Sequence, residues 1–256
     1  MKNFYYCTIF IILSCTHQKT IKYNLFDMEN TITAGSKLEL NDNAVIKYNS
    51  IVAFKVKNST EVNVLRVVGC PGDTVEISNG QIYVNNKLME KPLSSKKIYT
   101  VYLKNPSDFK KLEHYKFSVY SANYSMFSLS KDEYNEILRM KIVDSIYTLP
   151  VDSNQVQLGV LKNKFSKHSN SYYFGPVLIP TKNHIIDDEI LSITPQFLAP
   201  SDLGKKISDK YYFCIGDNFP EAKDSRFIGL IPKSSIIGVV DKIQNVKSIN
   251  VTNLPN

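Results

Sequence analysis

RVVGCPGDTVEISNGQIYVN, residues 66–85 of a 256-residue chain, alternates strand-forming runs with turns. The apolar runs are Val64 to Val68, Thr74 to Ile77 and Ile82 to Val84. Pro71-Gly72-Asp73 and Ser78-Asn79-Gly80 between them carry turn chemistry. Asn-Gly flanked by two such runs is a strong hairpin signal, because both residues tolerate the positive φ of a tight primed turn. The same rhythm continues outward. Upstream lie Ala44-Val45-Ile46 and Ile51-Val52-Ala53-Phe54, with Asn41-Asp42-Asn43 as a turn. Asn85-Asn86 closes the hairpin, and Tyr211 to Ile215 and Ile236 to Ile243 add strands near the end. Short strands with no helical alternation predict a mainly β fold, an antiparallel sheet or a barrel-like one.

Residues 90–170 differ in character and read as an insertion of mixed α and β structure. Ser130-Lys131-Asp132-Glu133 is a capping-box pattern. Behind it Tyr134, Ile137, Leu138, Ile142 and Ile146 follow a helical period, which predicts a helix near residues 131–144. The flanking segments 23–89 and 171–246 form the β core.

The N-terminus reads as an address. Lys2 supplies a positive n-region, and Phe4 to Leu13 an apolar stretch too short to span a bilayer as a helix. Ile12-Leu13-Ser14-Cys15 follows, similar to a bacterial lipobox. Residues 1–15 therefore read as a lipoprotein-type signal peptide with Cys15 as the lipidated residue, or else as an ordinary secretory signal containing a cysteine. Residues 16–22 read as a tether. Lipidation would hold the protein on the membrane, outside the cytoplasm in the bacterial cell envelope.

Composition sets outer bounds. With 43% hydrophobic and 21% charged residues the chain is neither disordered nor a multi-span membrane protein. The formal charge of +7 is dispersed, which suits an anionic surface and does not argue for nucleic acid. The four cysteines form no CxxC pair and no Cys/His cluster, and the four histidines are scattered. No metal site or cofactor is expected.

Two segments resemble signatures of the type I signal peptidases, the serine–lysine membrane enzymes that remove signal peptides from exported proteins. One is Arg66 to Asp73 with its hairpin, including Gly69, Pro71 and Gly72. The other is Tyr212-Phe213-Cys214-Ile215-Gly216-Asp217-Asn218, then Asp224-Ser225-Arg226, then Gly229-Leu230-Ile231-Pro232 and Ile237-Gly238. Met28 to Gly35 resembles the family's SMxPTLxxGD block. Lys47 to Phe54 resembles its KRGDIVVF strand, and Gly175-Pro176 with Ile179-Pro180 its GPxxP strand. The resemblance covers most of residues 23–243 and implies an antiparallel β core with an inserted cap.

The same correspondence removes the chemistry. Asp27 stands at the nucleophilic serine's position, Leu65 at the general-base lysine's, Leu25 at the oxyanion serine's and Ala222 at the serine that supports the lysine. Such a peptidase needs a hydroxyl to attack and a neutral amine to take its proton. Loss of a positioned base alone removes about 10²–10⁴ in rate. An oxyanion donor is worth about 10²–10³ more. Acylation of Asp27 would give an anhydride, and aspartic-protease chemistry would need a second carboxyl sharing its proton. Glu29 and Glu221 are the candidates, and nothing in the family places them there.

Asp73, Asp217, Asp224 and Arg226 are expected to be structural, as turn aspartates and a carboxylate–guanidinium brace. Gly72 and Gly216 are expected at turns with positive φ. Because the two signatures lie close together in the family, Cys70 and Cys214 read either as a disulfide or as two separate buried thiols. The expected function is a signal-peptidase-like lipoprotein without activity. Its ligands would be signal peptides, exported preproteins or an envelope partner. The alternatives are a peptidase working through an unconventional site and a purely structural lipoprotein.

Overall fold

The computed structural model describes residues 19–29, 31–90, 96–115, 117–119, 124–148, 160–161 and 170–245. The lipobox and Cys15 lie outside the described residues. The first strands are β1 (Lys19–Lys22), β2 (Lys37–Asn41), β3 (Ile51–Phe54) and β4 (Asn63–Gly69). Then come β5 (Thr74–Ser78), β6 (Gln81–Val84) and β7 (Lys87–Leu88). The insertion holds β8 (Lys97–Leu103), β9 (Phe117–Val119), β10 (Tyr124–Leu129), helix α1 (Lys131–Leu138) and β11 (Val143–Thr148). The chain returns through β12 (Phe174–Leu178), α2 (Asp188–Ser192), β13 (Tyr211–Ile215), α3 (Ser225–Ile228), β14 (Ile231–Pro232) and β15 (Ile236–Gln244).

These strands form three antiparallel sheets, a mainly β architecture as the sequence predicts. The largest has the order β1-β2-β15-β3-β4-β13-β14. The second, β12-β5-β6-β7, is reached from β4 through Pro71-Gly72-Asp73. Gly72 there has φ +93°, which only glycine adopts without strain. Asn79 and Gly80 have φ +48° and +69°, the conformation the hairpin needs. Between these two sheets Val68, Val75, Ile77, Phe174, Ile179, Phe213 and Ile215 form one apolar core. Gly69 lets the layers meet: a Cβ there would lie 2.5 Å from the Ile179 side chain.

The insertion carries its own sheet, β11-β8-β10-β9, and its own core around Val101, Phe127, Leu129 and Ile137. Ser130 caps α1 in a reciprocal box with Glu133. The helix ends at Leu138, shorter than the periodicity predicts. Ile146 instead lies in β11 opposite Val101, and Ile142 and Ile146 still reach the insertion core. Apolar residues spaced for one helix face were satisfied by a strand because a neighbouring strand edge was available.

The predicted tether is also partly structured. Lys19–Lys22 forms β1 on the edge of β2, with Ile21 opposite Leu38 and packed against the Tyr23–Met28–Leu38 cluster. A single apolar residue and an open sheet edge were enough to order it. The lysines at both ends of β1 blunt the outer edge of the sheet.

Candidate functional site

The site is built where two chain segments meet. The first is the turn from Phe26 to Ile32. Glu29 N–H donates to Phe26 O at 3.1 Å, and Ile32 N–H donates to Met28 O at 2.8 Å. Met28 and Ile32 are buried in the cluster of Tyr23, Leu38, Leu40, Ala53 and Val64, so the turn is pinned by its apolar face. Leu25 packs on the same cluster, while Phe26 is 61% exposed. The Met28 N–H donates to Tyr23 Oη at 3.0 Å.

The second segment runs from β13 to α3. Gly216 N–H donates to Asp224 Oδ2 at 3.1 Å, and Cys214 N–H to Ser225 Oγ at 2.9 Å. Asp224 faces Arg226 through two bonds, Nε to Oδ1 at 2.8 Å and Nη2 to Oδ2 at 2.7 Å. Arg226 is fully buried. Its fork also donates to the carbonyls of Ser171 and Phe219, and it stacks 3.9 Å from the Phe219 ring. This spread of donors is how a buried guanidinium stays solvated by protein.

The two segments are stitched together at residue 27. Asn218 N–H donates to Asp27 O at 2.9 Å and Asn218 Nδ2 to Phe26 O at 3.1 Å. Lys223 N–H donates to Asp27 Oδ1 at 2.7 Å. Gly216 lies against the Asp27 carbonyl. A Cβ there would stand 2.5 Å from that oxygen and would also overlap Ala222. Gly216 is not among the residues with positive φ. Its smallness serves close approach and not a turn, contrary to the sequence expectation. The register Ile215↔Arg66 puts Gly216, the next residue, level with Leu65. Asp27, Gly216 and Ala222 therefore converge, with Leu65 just beyond the last β4–β13 pair.

Their environments differ. Leu65 is 1% exposed in an apolar cluster with Val52, Val67, Tyr212, Cys214 and Ile231. Ala222 is buried as well. Asp27 is half-buried, and burial is the main reason its carboxyl is pushed above the usual range. The Lys223 N–H partly offsets this, and the Asp224 charge adds to it. Asp224 is thus the carboxylate that bears on Asp27, and both its oxygens are held by Arg226. Glu29 faces elsewhere: its carboxylate lies 3.4 Å from the Lys96 ammonium and accepts from Asn218 Nδ2 at 3.5 Å.

The remaining motif residues brace this arrangement. Arg66 grips Asp217 at two points, 2.8 and 2.7 Å, and Thr31 Oγ1 donates to the same carboxylate at 2.5 Å. Asp73 accepts from the Cys70 N–H at 2.7 Å, the Tyr48 hydroxyl at 2.6 Å and Asn85 Nδ2 at 2.7 Å. That bond to Asp73 pushes the Tyr48 phenol up to about 12. Cys70 and Cys214 sit in the Leu65 cluster as two free thiols, so the disulfide reading is corrected to separate thiols. Among the described residues no cluster of three or more His, Cys, Asp and Glu side chains is placed to hold a metal.

Two residues at the site had no signal in the sequence. Lys96 opens the insertion, is 3% exposed, donates its N–H to Asp217 O and turns its ammonium to Glu29. Tyr23 precedes the Asp27 turn and reads as one more aromatic strand residue. No local pattern announces either long-range contact.

Comparison with known proteins identifies the lineage. The family model for signal peptidase, peptidase S26, matches residues 2–244, and the chain belongs to that family. It is 27% identical over 245 residues to a signal peptidase I of Buchnera aphidicola subsp. Baizongia pistaciae, covering 91% of this chain and 68% of that one. It is 37% identical over 46 residues to a probable signal peptidase I-2 of Synechocystis, covering 18% of this chain and 21% of the relative. A solved signal peptidase I from Enterococcus faecalis aligns with a TM-score of 0.33 at 15% identity, covering 77% of this chain and 97% of that one.

Proposed function

We propose that this signal-peptidase family member binds the signal regions of exported proteins, or an envelope partner, without cleaving them. The observation that carries the reading is the packing of Leu65. The position that should hold a proton-accepting amine is a leucine closed into an apolar cluster. Asp27 has no hydroxyl to attack with, and the carboxylate whose charge bears on it, Asp224, is held by Arg226.

A binding surface accompanies this lost chemistry. β4 pairs with β3 from Asn63 onward, but with β13 only from Arg66 onward. Asn63–Leu65 are therefore paired on one side. An extended peptide could add there as a strand beside the exposed Phe26. No helix among the described residues is long and apolar enough to cross a membrane. In this reading the anchor is the lipidated Cys15, which places the groove at the membrane on the extracytoplasmic side.

The test is a cleavage assay on the full chain in detergent with a labelled signal-peptide substrate. Wild type is compared with a variant carrying Asp27→Ser, Leu65→Lys, Leu25→Ser and Ala222→Ser, after circular dichroism has shown that it folds. A silent wild type that nevertheless binds the substrate supports the reading. Turnover by wild type that is abolished in Asp27→Ala overturns it.

A further inference from the structure

The donors and acceptors around Asp27 are the reverse of what amide cleavage there requires. A tetrahedral oxyanion is stabilised by N–H groups aimed at the place where its charge develops. The Met28 N–H is already spent on Tyr23 Oη, 3.0 Å away, and Tyr23 is 1% exposed. The Asp27 N–H bears on that same hydroxyl and on its own carboxylate. A ligand carbonyl entering here finds the Asp27 and Met28 N–H groups already engaged.

The turn offers acceptors instead. The Asp27 carboxylate makes no ion pair among the described residues; its partners there are the Lys223 N–H, on Oδ1, and the Asp27 N–H. Beneath it Asn218 is clamped to the carbonyls of Phe26 and Asp27, and its Oδ1 is buried without a hydrogen-bond partner. The other charges nearby are committed: Asp224 to Arg226, Glu29 to Lys96 and Asp217 to Arg66. The Lys223 side chain is exposed; its charge bears on Asp27 without an ion pair among the described residues.

We infer that the Asp27 site receives an ammonium group of a bound peptide, either its N-terminal amine or a lysine side chain. A carboxylate held by two backbone N–H groups and paired with no cation within 4 Å among the described residues suits a single-point donor. A guanidinium would call for both oxygens, and Lys223 already holds one. Peptide recognition through β4 brings the ligand to this place, so the inference rests on the groove described under Proposed function. It adds the chemical group that the groove selects.

Isothermal titration of the full chain in detergent tests it with three matched alanine-rich peptides. One has a free N-terminus and no lysine, one is acetylated with no lysine, and one is acetylated with a single lysine. Wild type should bind the doubly blocked peptide about tenfold more weakly than at least one ammonium-bearing peptide, as expected for a charged hydrogen bond. Asp27→Asn should level the three. Preference between the two ammonium-bearing peptides tells the N-terminal from the side-chain source. Equal binding of all three by wild type, or unchanged selectivity in Asp27→Asn, overturns the inference and leaves the groove standing. If no peptide binds, both readings fall.

Discussion

Arg66 and Asp217 join the two signature segments of this chain through a planar two-point ion pair, Nε to Oδ1 at 2.8 Å and Nη2 to Oδ2 at 2.7 Å. Asp217 also receives Thr31, and its backbone carbonyl receives Lys96, so three parts of the chain meet at one residue. Asp217→Asn should destabilise the fold by about 3 kcal/mol, the low end for a buried pair because Arg66 retains some exposure. A urea melt measures it. Loss under 1 kcal/mol would mean that the pair is an ornament of the surface.

Arg226 should be irreplaceable by lysine. Its fork serves Asp224, Ser171 and Phe219 at once, at full burial. An ammonium is a point donor and cannot reproduce that planar spread. Arg226→Lys should lower stability by about 3–5 kcal/mol, read as the shift of a chemical denaturation midpoint. Because Asp224 receives Gly216 and adjoins Ser225, whose hydroxyl receives Cys214, the loss should also expose the Cys214 thiol to alkylation.

The pH dependence of stability has a defined sign at Asp27. Burial raises its folded pKa above the unfolded value, and Asp224 adds to the shift while the Lys223 N–H and side-chain charge oppose it. Above about pH 3.9 the folded state therefore holds this proton more tightly than the unfolded one. Ionisation of Asp27 then weakens the fold as pH rises through its folded pKa. Asp27→Asn, which can still accept from Lys223, should melt higher than wild type at neutral pH. Each kcal/mol of relief corresponds to about 2–4 °C. The advantage should vanish in acid below the ordinary aspartate range, and an advantage that persisted there would point to a cause other than ionisation.

Gly216→Ala should be disruptive although the residue is not in a strained conformation. The added methyl meets the Asp27 carbonyl and Ala222. Displacing the Asp27 turn should destabilise by about 1–3 kcal/mol. Peptide binding should fall with it. Stability within 0.5 kcal/mol of wild type, about the scatter of neutral surface changes, would show that the turn yields easily.

Tyr23→Phe removes the acceptor of the Met28 N–H and leaves that donor buried, a loss of about 1–3 kcal/mol. In the variant carrying Asp27→Ser, Leu65→Lys, Leu25→Ser and Ala222→Ser, the same change should raise turnover by about 10²-fold, the value of one oxyanion donor. Equal rates with and without it would show that Tyr23 does not guard those amides.

What could be read from the sequence was whatever local chemistry decides. Asn79-Gly80 announced its hairpin because both residues adopt positive φ cheaply, and Ser130 with Glu133 announced the start of α1. The end of α1 was not legible, since Ile146 had an equally good partner in Val101 on a neighbouring strand. The site divides in the same way. Asp27, Leu65 and Ala222 could be named as candidates from their neighbours in the motifs, whereas Lys96 and Tyr23 enter through contacts that only the folded chain creates. Gly216 shows a subtler limit. The motif marked the glycine, but the reason for it, an approaching carbonyl, belongs to tertiary structure.

The closed packing around Leu65 decides what the position can hold. A lysine placed at that position would carry its charge into the Val52, Val67 and Cys214 cluster. Unpaired there, the ammonium would be driven toward its neutral form. The apolar cluster thus works as a filter on charge: it accepts an aliphatic side chain at position 65 and resists a cation.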